Sequence, residues 1–123
     1  MKLLIVEDEV ASRKKLEILI KGLGYEPLIA TNGIEGWILW KNERPKIVIT
    51  DWIMPEMTGI EFLKACKSDD NIKKIPFIMV TAEAQKDNIM EAIKSGVDNY
   101  IVKPFTPDKL REAIDKAKAK VGK

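Results

Sequence analysis

Lys46-Ile-Val-Ile-Thr-Asp51-Trp-Ile-Met-Pro-Glu-Met-Thr-Gly59 is the stretch whose reading decides the fold. Ile47 to Thr50 reads as a short strand buried on both faces. Its apolar residues do not alternate with polar ones, as a sheet covered on both sides requires. Asp51 stands at its C-terminal end. Pro55 and Gly59 then punctuate a loop before the next helical pattern. In an open parallel sheet, ligands bind outside the carboxyl ends of the strands. A carboxylate at that place is a metal ligand, a nucleophile or the polar cap of a strand.

Working outward, the same kind of apolar run recurs at regular intervals. Leu3 to Val6 is a first strand and Tyr25 to Ala30 a second. Pro27 places the second at a sheet edge, since proline cannot donate to a central ladder. Pro76 to Val80, ending at Thr81, is a fourth, and Asn99 to Val102, ending at Lys103-Pro104, a fifth. Between the strands lie helical patterns. Val10 to Gly22 carries Ser12, Leu16, Leu19, Ile20 and Leu23 on one arc and ends at Gly22 and Gly24. Gly33 to Glu43 is capped by Asn32, with Glu35 three residues on in a capping-box variant. Gly59 to Ser68 turns Phe62, Leu63 and Cys66 inward. Gln85 to Ser95 does the same with Ile89, Ala92 and Ile93. The last helix starts near Pro107, a favoured place for proline, and carries Leu110, Ala113, Ile114, Ala117 and Val121 as its stripe.

Strands alternating with helices imply right-handed βαβ units and a parallel sheet. The expected fold is α/β: a flavodoxin-like, doubly wound, five-stranded parallel sheet of order 2-1-3-4-5 with five helices. One domain spans residues 1–123 in this reading, with no effector domain attached. The helix from Gly33 to Glu43 bears Ile34, Trp37, Ile38, Leu39 and Trp40, more than half its circumference. It is either a wide core stripe with Leu39 at the margin or a partner surface.

Composition excludes several classes. Hydrophobic residues are 46% and charged residues 33%, ordinary for a globular domain. The net charge of +2 gives no strong footprint for nucleic acid or membrane. Lys116, Lys118, Lys120 and Lys123 read as a solvated helix end favoured by the dipole. The single cysteine, Cys66, rules out an internal disulfide and suits a reducing cytoplasm. The opening apolar run is too short for a signal peptide core or a membrane span. With no histidine, every His-based triad, metal site and general base is removed.

The strand ends carry the chemistry. In the order 2-1-3-4-5, strands 1, 3 and 4 are neighbours. Strand 1 delivers Glu7 and Asp8, strand 3 Asp51, strand 4 Thr81 and strand 5 Lys103. Three carboxylates so close would raise one another's pKa unless a cation joins them. Hard oxygen donors suit Mg²⁺ or Mn²⁺. Lys103 offers a compact positive charge for a phosphoryl oxygen, and Thr81 a hydroxyl donor for another. Asp51 is then the group placed for in-line attack on phosphorus, and aspartyl phosphate is an accepted covalent intermediate. Singly, each residue has a structural reading as a cap, a dipole partner or a solvated lysine. Four strand ends of one sheet supplying this set together favour the chemical one.

At these residues the sequence resembles the receiver domains of bacterial two-component response regulators. The resemblance runs from Leu3 to the last helix. Its motifs are Glu7-Asp8, Asp51 followed by Met54-Pro55 and Gly59, Thr81-Ala82, and Tyr100-Ile-Val-Lys103-Pro104-Phe105. With its end after the fifth helix, the chain looks like the single-domain, chemotaxis-type members. The resemblance implies that Asp51 is the phosphoacceptor for a histidine kinase partner. It implies that Asp8, Asp51 and the backbone carbonyl of Ile53 ligate Mg²⁺ directly, while Glu7 acts through a metal-bound water. Thr81 and Lys103 would contact the phosphoryl group, and Tyr100 would follow the threonine inward as the switch aromatic. The Lys103-Pro104 bond is commonly cis in this family. The face formed by the fourth helix, fifth strand and fifth helix would meet a downstream effector. Ala82, being small, leaves room for the switch and for the phosphodonor. Family members vary at Ile53 and Glu83. An Ile53 side chain positions no water, so a modest self-dephosphorylation rate is expected.

Three rivals meet specific obstacles. An aspartate-nucleophile phosphatase or mutase usually carries a second Asp two residues after the nucleophile, where this chain has Ile53. A flavin module needs a Gly/Ser/Thr-rich phosphate loop after strand 1, where this chain has Glu7-Asp8-Glu9. A phosphorylation-independent interaction module, built on Trp37 and Trp40, would show no Mg²⁺-dependent labelling.

Overall fold

The computed structural model describes residues 2–51, 61–62, 64–65, 76–82, 85–94, 97–103 and 105–121. Its elements are β1 (Lys2–Val6), α1 (Val10–Gly22), β2 (Glu26–Ala30), α2 (Gly33–Glu43), β3 (Ile47–Thr50), β4 (Phe77–Thr81), α3 (Lys86–Lys94), β5 (Asn99–Val102) and α4 (Pro107–Val121). Glu61, Phe62, Lys64 and Ala65 are also helical. They represent the helix expected over 59–68, whose other residues, Leu63 and Cys66 among them, lie outside the described residues. The strands form one parallel sheet of order β2-β1-β3-β4-β5, as the run pattern predicts.

Period-two alternation along the strands builds a core on each sheet face. Leu3, Ile5, Ile47, Ile49, Ile78 and Val80 project to one side. There they meet Leu16 and Ile20 of α1 and Leu110, Ala113, Ile114 and Ala117 of α4. Leu4, Val6, Val48, Phe77 and Met79 project to the other, against Trp40 of α2, Phe62 and Ala92 of α3. Leu3 to Val6 are all fully buried, which is why that strand shows no polar alternation. Trp40 and Phe62 both pack tilted against Phe77, with ring centroids 5.6 and 5.8 Å away, a favourable aromatic geometry.

The helix ends follow local chemistry. After α1, Tyr25 N–H donates to Ile20 O (3.1 Å) and Gly24 N–H to Lys21 O (3.0 Å). This is a Schellman closure, and Gly24 supplies its left-handed residue at φ 91°. Gly24, rather than Gly22, is the required glycine, since Gly22 is still helical. At α2, Asn32 Oδ1 accepts from Glu35 N–H at 2.8 Å. The Glu35 carboxylate reaches back one residue beyond the cap, to Thr31 N–H at 3.0 Å and the Thr31 hydroxyl at 3.2 Å. Arg44 ends α2 in the left-handed region at φ 50°, just before Pro45.

Two expected stripes are corrected. In α2 the buried face is Gly33, Gly36 and Trp40, while Ile34 and Ile38 are 44% and 49% exposed. The reason is close approach: a Cβ on Gly36 would lie 2.8 Å from Val6 Cγ2. The glycine arc therefore lies on the sheet, and Trp37 and Leu39 only flank it. In α3, Ala92 is buried and Ile89 half-buried, but Ile93 is 58% exposed. Ile93 is about 100° around the helix from Ala92 and turns off the inner face. The Val121 side chain lies outside the described residues.

Candidate functional site

Strand register brings the expected residues together. Val6 pairs with Thr50, so the chain leaves β1 and β3 side by side, and Asp51 N–H donates to Val6 O at 3.2 Å. On the other flank Thr81 pairs with Val102, and Lys103 N–H donates to Thr81 O at 2.8 Å. Glu7, Asp8, Asp51, Thr81 and Lys103 thus all emerge at the carboxyl edge of the sheet.

Carboxylate oxygens of Glu7, Asp8 and Asp51 lie within 4.8 Å of one another. Glu7, Asp51 and Thr81 are buried, and Asp8 is exposed. The Lys103 ammonium bridges the buried pair, 2.6 Å from Glu7 Oε1 and 3.1 Å from Asp51 Oδ2. Glu7 Oε2 in turn accepts from Glu9 N–H at 3.2 Å. Among the described residues, no hydrogen bond or ion pair engages the Asp8 carboxylate.

The electrostatics follow from this packing. Burial pushes the Glu7 carboxyl up from 4.5 to about 7, helped by the Asp51 charge and opposed by the Lys103 hydrogen bond. Burial alone would lower Lys103, but its hydrogen bond to Glu7 and the charge of Asp51 outweigh that and raise it above 10.5. One lysine therefore does not fully neutralise the acidic basin. An all-carboxylate donor set with surplus negative charge, open on its Asp8 side, fits a hard divalent cation such as Mg²⁺ or Mn²⁺. Glu7, Asp8 and Asp51 are the residues present to hold it. Ile53, whose carbonyl was expected as a further ligand, lies outside the described residues, as do Trp52, Met54, Pro55, Gly59, Glu83 and Pro104.

Thr81 and Tyr100 share a sheet face. Met79 pairs with Tyr100, Met79 and Thr81 are two apart, and half-buried Tyr100 packs on the Met79 side of the core. Ala82 is exposed and helps line a depression of about 370 Å³ beside Lys103, with Ser12, Lys15 and Phe105.

Sequence reasoning missed several contacts. Arg13 Nη1 donates to the carbonyls of Glu7 (3.1 Å) and Asp8 (3.3 Å). The Lys15 ammonium lies 4.7 Å over the Phe105 ring, tying α1 to the chain after β5. The only available signal for Arg13 was its place one turn into α1, where a long side chain reaches back over the preceding loop.

Comparison with known proteins places this geometry. Residues 3–115 match the response regulator receiver domain, and the chain belongs to that family. The chemotaxis protein CheY1 of Helicobacter pylori is 45% identical over 117 residues, covering 94% of both chains. The solved structure of the chemotaxis protein CheY4 of Vibrio cholerae superposes with a TM-score of 0.88 at 31% identity, covering 94% of this chain and 97% of that one. The fold alone is shared with the receiver domain of sensor histidine kinase PA1611 of Pseudomonas aeruginosa. That domain superposes with a TM-score of 0.88 at 22% identity over 99% of this chain and 98% of that one, and has a magnesium ion coordinated in its active site cleft. The chain is a CheY-type phosphoacceptor receiver of two-component signalling. No helix among its described residues is long and apolar enough to cross a membrane.

Proposed function

We propose that this receiver takes a phosphoryl group onto Asp51 from a phosphohistidine of a histidine kinase or phosphotransfer protein, in a Mg²⁺-dependent reaction in the cytoplasm. The observation that carries this reading is the Lys103 ammonium, held between Glu7 and Asp51 at the rim of a three-carboxylate basin. An Asp51 carboxylate oxygen attacks phosphorus in line, the phosphorus–nitrogen bond breaks, and the imidazole leaves with the electron pair. Glu7, Asp8 and Asp51 would hold the divalent ion, which would supply charge neutralisation for the phosphoryl oxygens. By the family resemblance, the backbone carbonyl of Ile53 would complete that set. Lys103, which bridges Glu7 and Asp51, turns a donor to a phosphoryl oxygen, and the Thr81 hydroxyl donates to another.

Phosphorylation gives the Thr81 hydroxyl a phosphoryl oxygen to donate to, and Tyr100 on the same sheet face follows it inward. The output surface is the face of α3, β5 and α4. Its supporting feature is exposed apolar surface on neighbouring elements: Met90 and Ile93 of α3 and Val102 of β5 are 46%, 58% and 39% exposed. A downstream effector protein binds there.

The test is exposure to a small-molecule phosphodonor with Mg²⁺, comparing the native protein with Asp51→Asn. Acid-labile, Mg²⁺-dependent incorporation is expected in the native protein and none in the variant. Undiminished labelling of Asp51→Asn would overturn the reading.

A further inference from the structure

The turn between β1 and α1 spans only Glu7, Asp8 and Glu9. It is anchored on its sheet side by Glu7 N–H, which donates to Ala30 O of β2 at 3.1 Å. On its helix side the anchor is Arg13. The backbone N–H of Arg13 donates to Glu9 O at 2.9 Å. Its half-buried guanidinium donates through Nη1 to Glu7 O at 3.1 Å and to Asp8 O at 3.3 Å. Those two carbonyls belong to the planar peptide units on either side of the Asp8 Cα. Holding both planes fixes the backbone dihedrals of Asp8 and therefore the direction of its Cβ. The Asp8 carboxylate is exposed and, among the described residues, engaged by no other group. Its aim into the basin with Glu7 and Asp51 thus depends on its backbone.

We infer that Arg13 is a positioning residue for the divalent cation: its guanidinium straps the carbonyls of Glu7 and Asp8 to α1 and so presents the acidic pair in ligating geometry. This rests on the Mg²⁺ reading given above. Both side-chain hydrogen bonds of Arg13 go to backbone carbonyls, not to the carboxylates that would hold the cation. Groups that orient ligands in this way govern metal affinity through geometry. Its charge works in the opposite sense, since a cation beside the basin repels another. Geometry and charge therefore predict changes of opposite sign when Arg13 is replaced.

The experiment is a calorimetric Mg²⁺ titration of native protein, Arg13→Lys and Arg13→Gln, paired with thermal denaturation of each in EDTA. Arg13→Lys keeps the charge but ends one atom short of the Nη1 position that reaches both carbonyls, on a stem without the guanidinium's rigid plane. A positioning role weakens Mg²⁺ binding about tenfold in both variants, the range seen for groups that orient ligands. Tighter binding by Arg13→Gln, with Arg13→Lys unchanged, would mean that only charge matters and would overturn the inference. Lower melting temperatures in EDTA with native Mg²⁺ affinity would reduce Arg13 to a structural strut and overturn it as well. If the native protein itself fails to bind Mg²⁺, the underlying reading falls and this inference with it. If the native protein binds and neither variant is weakened, only the Arg13 role falls.

Discussion

Lys103 and Glu7 are 96 residues apart in the chain, yet the Lys103 ammonium lies 2.6 Å from Glu7 Oε1, nearer than its 3.1 Å contact with Asp51 Oδ2. The lysine serves the buried glutamate at least as much as the aspartate at the end of β3. Lys103→Met would leave two buried carboxylates facing each other without a counter-charge. In metal-free protein near pH 8 this should cost about 1–3 kcal/mol, below the full penalty for a broken buried pair because Lys103 is partly solvated. Urea denaturation in EDTA measures it. Native-like stability at that pH would show that the ammonium is not the counter-charge the basin requires.

Glu7 makes the metal-free protein sensitive to mildly acidic pH. Its carboxyl titrates at about 7 when folded and at 4.5 ordinarily. Between those values the folded state holds a proton that the unfolded state has released. Stability should therefore fall as pH rises through that window, not as it drops. Melting temperatures in EDTA across this range should show the decline, and Glu7→Gln should flatten it. Lys103 has the complementary behaviour: its contribution is complete below 10.5 and is lost as pH rises beyond that.

Mg²⁺ should reverse the decline. A cation that binds only the folded chain stabilises it by mass action, about 2.7 kcal/mol at a hundredfold excess over Kd. The melting temperature near pH 7.5 should rise with Mg²⁺ in the native protein and barely in Asp8→Ala. An equal rise in both would exclude Asp8 from the binding set.

The close approach of α2 to β1 rests on a missing side chain. A Cβ at position 36 would lie 2.8 Å from Val6 Cγ2 and 3.4 Å from Phe62 Cζ. Gly36→Ala should gain about 1 kcal/mol of helix propensity but lose about 1–3 kcal/mol to overpacking, a net destabilisation. Combining it with Val6→Ala should give a double variant more stable than the two single effects sum to. Strict additivity in chemical denaturation would contradict the contact.

Ile34 and Ile38 test the corrected α2 stripe. Both are near half exposed, one turn apart. Ile34→Lys with Ile38→Lys should therefore change stability by no more than about 0.5 kcal/mol per site. The Trp40→Ala change on the same helix should cost about 3–5 kcal/mol, because Trp40 is 1% exposed and packs tilted against Phe77. A large loss from the isoleucine pair would restore the wide core stripe.

The chain by itself determined the sheet and which residues gather at its carboxyl edge. Apolar runs ended by polar residues put Glu7, Asp8, Asp51, Thr81 and Lys103 at strand ends, and the order 2-1-3-4-5 makes those ends neighbours. Pro27 marked the edge strand, and Asn32 the start of α2. These readings succeed because strand period, proline's missing N–H and cap hydrogen bonding are local properties. Tertiary structure alone decided which carboxylate Lys103 approaches most closely, since that depends on the register of β1 against β3 and of β4 against β5. It decided that Gly33 and Gly36, rather than Ile34 and Ile38, face the sheet, because a helix turns to let backbones approach and not only to bury its largest side chains. It also placed the Arg13 guanidinium on the carbonyls of Glu7 and Asp8. No sequence period encodes that contact, because it joins a side chain of one element to the backbone of the turn before it.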